Sequence, residues 1–120
     1  MKRLLKILAP FIGMNNPNAI TTRIPDETKI VAKEQQDYTY IPLTVKGERD
    51  DTTYVFVKPG VILTIKKGGH FNKDGKFRSE DGPITHYLVQ GIFANSSNQD
   101  SYMALCIPRD VIEERFQINH

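Results

Sequence analysis

The sequence predicts a mainly β protein: a small antiparallel barrel or sandwich of six to seven strands, with a short amphipathic N-terminal segment and a short C-terminal helix. Three observations predict it. From Ala19 onward, short runs rich in β-branched and aromatic residues alternate apolar and polar side chains. That period of two places successive side chains on opposite faces of a strand. Clusters of Gly, Pro, Asn and Asp punctuate these runs at intervals of roughly ten residues, the rhythm of small barrels and sandwiches. Helical spacing shows only at the two ends of the chain.

Taken in order, Leu4, Leu8 and Phe11-Ile12 follow helical spacing, and Lys2, Arg3 and Lys6 fall largely elsewhere on the wheel. Pro10 removes a backbone donor and disfavours helix at Ala9, so a short turn or kink is expected rather than three clean turns. Asn15 to Asn18 reads as a loop. Residues 1–18 thus form an N-terminal arm or cap, and 19–120 a single β-rich domain. Strands are expected over Ala19–Arg23, Thr28–Lys33 and Tyr38–Lys46. In the last, Ile41, Leu43 and Val45 face one way, with Tyr38, Tyr40 and Thr44 opposite. Pro42 lacks an N–H and predicts an edge or a bulge there.

Thr52–Lys58 sets Val55 and Val57 against Tyr54 and Phe56. Pro59-Gly60 is either the tip of a hairpin or a corner between sheets, and Val61–Ile65 follows as an apolar strand. A polar loop is expected from Gly68-Gly69 to Gly82-Pro83. Ile84–Ala94 and Tyr102–Ile107 are further strands. After Pro108, the spacing of Val111, Ile112, Arg115 and Phe116 predicts one or two helical turns.

The 120 residues fit one domain, long enough to build a core without disulfides or metals. Net charge is +2, which gives no global case for nucleic acid, but residues 58–78 carry six basic side chains against Asp74 alone. Cys106 is the only cysteine and sits in an apolar run, where a buried thiol is the plain expectation. Lys6 interrupts the apolar start and no small-x-small site follows, so residues 1–14 do not read as a signal peptide. They are also too short and too charged to span a bilayer. The expected setting is intracellular or virion-associated.

Residues His70–Asp81 resemble an EF-hand loop at Asn72, Asp74 and Gly75. His70 stands where calcium needs a hard oxygen, Asp81 replaces the bidentate glutamate, and basic side chains crowd the loop. A tight hairpin turn at Asp74-Gly75 explains the residues better. The same stretch offers Lys66, Lys67, Lys73, Lys76 and Arg78 to phosphates, and Phe71 and Phe77 as platforms for bases. His70, His86 and His120 are widely spaced, and no zinc, phosphate-loop or nucleophile-elbow motif occurs. The residues call for no cofactor and no metal.

These features predict a non-enzymatic binding or assembly module that contacts a protein partner, or copies of itself, through Leu4, Leu5, Ile7, Leu8, Phe11 and Ile12 of the arm. Peripheral membrane contact is not expected. A compact β domain with an apolar arm has the general style of small viral or phage accessory and virion proteins, although no motif carries that likeness. The alternative expectation is a nucleic-acid-binding β-barrel using the basic hairpin 66–78.

Overall fold

The computed structural model describes residues 23–33, 37–43, 54–79 and 82–120. The strands are β1 (Lys29–Ala32), β2 (Thr39–Pro42), β3 (Tyr54–Val57), β4 (Ile62–Phe71), β5 (Phe77–Arg78), β6 (His86–Ala94), β7 (Asp100–Pro108) and β8 (Phe116–Ile118). Helix α1 (Arg109–Arg115) lies between the last two. They form an antiparallel sheet in the order β2-β3-β6-β4-β1-β8, with β5 paired to β4 and β7 to β6. The sheet is open and curls into a half-barrel. The mainly β fold and the short C-terminal helix are those the sequence predicts. The strand count is higher because β5 and β8 are too short to leave an alternation pattern.

Strand β6 organises the sheet. Strand β7 pairs with it from His86↔Pro108 to Ala94↔Asp100. A strand has two hydrogen-bonding edges, and β7 occupies one along the whole length of β6. Strands β4 and β3 therefore lie end to end on the other edge, β4 along residues 86–90 and β3 at Phe56↔Ala94. Pro59-Gly60 is thus a corner rather than a hairpin tip, with Gly60 in the left-handed region at φ +81°.

The inward residues of these strands make one core, including Ile30, Leu63, Ile65, Val89, Phe93 and Ile107, all without solvent exposure. Burying each such side chain contributes about 1.5–3 kcal/mol relative to leaving it exposed. Tyr87 is buried among them, and its hydroxyl accepts the Ile24 N–H at 3.0 Å. A buried phenol needs such a partner. Ile41, Val55 and Val57 point inward while Tyr40 and Tyr54 point out, as the alternation predicts.

The glycine pair Gly68-Gly69 departs from expectation. Strand β4 does not stop at Ile65 but runs through both glycines to Phe71, with a bulge between Ile65 and Lys67. Both glycines are buried because other groups press on them. A Cβ on Gly68 would lie 2.9 Å from the Tyr87 ring, and one on Gly69 would strike the Arg78 carbonyl and the Phe77 ring. The residues that read as loop punctuation mark a close approach of neighbouring segments inside the sheet.

Helix α1 buries Val111 and Ile112, as the spacing predicts. Phe116 does not extend it: the chain becomes extended at Phe116, which pairs opposite Ala32 as the start of β8. Among the described residues no helix is long and apolar enough to cross a membrane. The N-terminal arm over residues 1–18, and the strand expected over 19–23 apart from Arg23, lie outside the described residues.

Candidate protein-binding surface

The register of β2 and β3 gathers aromatic rings that the sequence keeps apart. Thr39↔Val57 and Ile41↔Val55 face the core, so Tyr40↔Phe56 and the neighbouring Tyr38 and Tyr54 share the outer face. Tyr40 meets Phe56 at 5.6 Å and Tyr54 at 6.0 Å between ring centroids, and Tyr38 meets Phe56 at 5.8 Å, all edge-to-face. Each such pair contributes about 0.5–1.5 kcal/mol beyond its buried area. The three tyrosines still keep 42–49% of their surface in solvent.

Beside them is a cleft of about 370 Å³ whose described lining is Tyr40, Tyr54 and Arg115. Arg115 reaches it from the last turn of α1, and its guanidinium donates to the Tyr40 carbonyl. That bond ties the helix to β2, across the open side of the half-barrel. It also satisfies a carbonyl of an edge strand that would otherwise turn to water. The arrangement is a notch lined by two phenol rings and a guanidinium.

The basic hairpin is closed by its own aromatic residues. Phe71 and Phe77 are cross-strand partners, and their rings meet edge-to-face at 5.6 Å. Phe71 also meets the His86 ring at 5.1 Å. Both phenylalanines are half-buried and fasten the two arms of the hairpin. Asn72 Oδ1 accepts the N–H groups of Asp74 and Lys76 at 2.9 and 3.0 Å, which closes the turn with a side chain calcium would require as a ligand. Lys67, Lys73, Lys76 and Arg78 are exposed, while Lys66 is engaged by Glu27 at 2.7 Å. That bond is the main reason the Glu27 carboxyl sits below its ordinary range.

Among the described residues no three His, Cys, Asp or Glu side chains come together as a metal site. Cys106 lies opposite Leu88 on the outer face, half-buried, and burial pushes its thiol pKa up. A raised pKa keeps the thiol protonated, the opposite of what a nucleophile needs. His86 Nδ1 lies 2.9 Å from the Thr85 hydroxyl.

Leu4, Leu5, Ile7, Leu8, Phe11 and Ile12 lie outside the described residues. The tyrosine face was half visible in the sequence, since Tyr38 and Tyr40 oppose Ile41, and Tyr54 and Phe56 oppose Val55 and Val57. Only the pairing of the two strands makes it one surface, and nothing in the sequence placed Arg115 beside it. No family model matches the chain, and neither the curated proteins nor the solved structures contain a match to it.

Proposed function

We propose that the chain is a non-enzymatic binding and assembly module that holds a protein partner on the tyrosine face of β2 and β3. The observation that carries this reading is the cluster of Tyr38, Tyr40 and Tyr54, exposed side by side next to the Arg115 cleft. Tyrosine and arginine are the residue types that dominate binding energy at protein interfaces, because each combines a large apolar area with a hydrogen-bonding tip. The edge-to-face contacts hold the rings in place before binding, which lowers the ordering cost of association. The arm residues Leu4 to Ile12 supply a second contact in this reading.

Base stacking is the competing use of exposed rings. It is less well supported because the cation lining the cleft already bonds a backbone carbonyl, and the basic hairpin spends its phenylalanines on each other. The test compares the full chain with the Tyr40→Ser/Tyr54→Ser double variant, each immobilised and exposed to extract of the cells that make it. The expected result is a set of bound proteins lost in the variant. An unchanged set, or tyrosine-dependent binding to single-stranded oligonucleotides that weakens steeply with salt, overturns the reading.

A further inference from the structure

Strand β7 is built to be an interior strand, yet among the described residues it has a neighbour on one side only. It has nine residues, more than twice the length of the edge strand β2. From Ser101 to Ile107 it carries no charge, no proline and no glycine. Short length, lysines, prolines and bulges are the devices that keep sheet edges from pairing. Across these residues β7 has none of them, and its pairing with β6 runs without a register shift.

Its side chains tell the same story. The inward residues of β6 next door, Tyr87, Val89 and Phe93, are fully buried, whereas Met103 and Leu105 of β7 are only half-buried against the core. On the outer face, registered pairs run Gln117↔Val31↔Ile62 across β8, β1 and β4, and Ile92↔Tyr102 across β6 and β7. Ile62, Ile92 and Tyr102 are exposed, Tyr102 at 67%. Exposed apolar side chains therefore extend to β7.

The ladder fixes which backbone groups point outward. Arg109 donates its N–H to the Thr85 carbonyl at 2.9 Å, and Asn95 donates to the Gln99 carbonyl at 3.0 Å. Both lie in the register that pairs β6 with β7, one beyond each end. Hydrogen-bonded pairs alternate along an antiparallel ladder. Odd-numbered residues of β7 thus bond to β6, and the N–H and C=O groups of Asp100, Tyr102, Ala104 and Cys106 face outward. Pro108, the next in that series, has no N–H to offer.

We infer that the open edge of β7 pairs antiparallel with β7 of a second copy, joining two half-barrels into one continuous sheet about a two-fold axis at Met103. This register sets Tyr102 opposite Ala104 of the other copy and Asp100 opposite Cys106. It uses every outward N–H from Asp100 to Cys106 and keeps Pro108 out of the ladder. No like charges meet: the only charged residue in the paired stretch is Asp100, and Lys58 of its own chain holds it at 2.9 Å. The edge is self-complementary, and the symmetric closed pairing stops at a dimer. The surface is separate from the tyrosine face and does not depend on its proposed role.

The test is light scattering of the full chain across its accessible concentration range, together with Ala104→Pro. The Ala104 side chain is exposed and its N–H points away from β6, so proline there spares the monomer's own ladder. The wild type is expected at twice the monomer mass. Ala104→Pro removes one donor from each copy and is expected to weaken the dimer about ten- to a hundredfold. Tyr40→Ser/Tyr54→Ser is expected to leave the dimer intact, which separates this inference from the proposed function.

Amide hydrogen exchange on the wild type gives a second readout that needs no variant. The Tyr102, Ala104 and Cys106 amides are expected to gain protection as concentration rises, while those of Met103 and Leu105 are protected throughout. A wild type that stays monomeric, a dimer indifferent to Ala104→Pro, or even-numbered amides that stay unprotected in the dimer each overturn the inference.

Discussion

Two edges of the half-barrel, β2 and β7, differ sharply. Strand β2 has four residues, carries Pro42, and has its Tyr40 carbonyl bonded by Arg115 from the helix across the gap. Strand β7 is longer and apolar on both faces, and no described residue covers its outer side. The first edge is managed, and its chemistry lies in the rings it displays. Among the described residues the second is unmanaged, and what it displays is backbone. Both edges are reached from β6, which holds β7 on one side and β3 on the other. An edge blunted by proline and a side chain can offer only side chains to a partner, whereas an open ladder can offer a strand.

The largest effect comes from removing what both edges share. Phe93 is fully buried on β6, and Phe93→Ala is expected to cost about 3–5 kcal/mol in urea unfolding, loosening both edges together. Tyr87→Phe, also on β6, leaves the Ile24 N–H without its acceptor and is expected to cost about 1–3 kcal/mol by the same measurement. A smaller contrast tests the ladder phase within β7 itself. Leu105→Pro deletes a bond to β6 and is expected to destabilise the monomer by about 1–3 kcal/mol, whereas Ala104→Pro stays within about 1 kcal/mol. Equal costs at the two positions would show that the open groups are not those of the even-numbered residues.

On the β2 side, Tyr40→Ser is expected to lower stability by about 1–3 kcal/mol, since it removes two edge-to-face contacts from an exposed face. A larger loss would make those rings part of the fold rather than a surface. The smallest effect is at the exposed Glu27–Lys66 pair. The Lys66 ammonium lowers the Glu27 pKa below its ordinary 4.5. A carboxyl lowered in the folded state stabilises the fold above its ordinary pKa, and that stability fades as pH falls through the lowered value. Lys66→Met is therefore expected to lower the unfolding midpoint slightly at neutral pH and not at all in strong acid, as a pH series of melts would show.

Much of the fold was legible because alternation survives wherever one face of a strand is buried. Ile41, Val55 and Val57 declared a shared face with their apolar neighbours before any pairing was known, and that face is the buried one. The edge role of Pro42 was legible too, from its missing donor alone. Gly68-Gly69 misled because glycine carries the same letter whether it turns a chain or lets another chain lie against it. Strand β8 was hidden because three residues are too few to separate from the end of a helix. The basic hairpin was correctly placed as a turn. Its phenylalanines gave no sign that they would face each other, since that depends on the register of β4 with β5.

By itself the sequence determined a mainly β chain, the two faces of the strands around Ile41 and Val55, the short C-terminal helix and a turn at Asp74-Gly75. These are local, set by period, propensity and side chains that bond their own backbone. Tertiary structure alone decided which strands are neighbours. It put β3 and β4 end to end on β6, gathered Tyr38, Tyr40, Tyr54 and Phe56 onto one face, brought Arg115 to the notch and left β7 outermost among the described strands. The physical reason is that a strand's pattern records which face is buried, while the hydrogen-bonding edges are made of backbone, which is the same in every residue but proline.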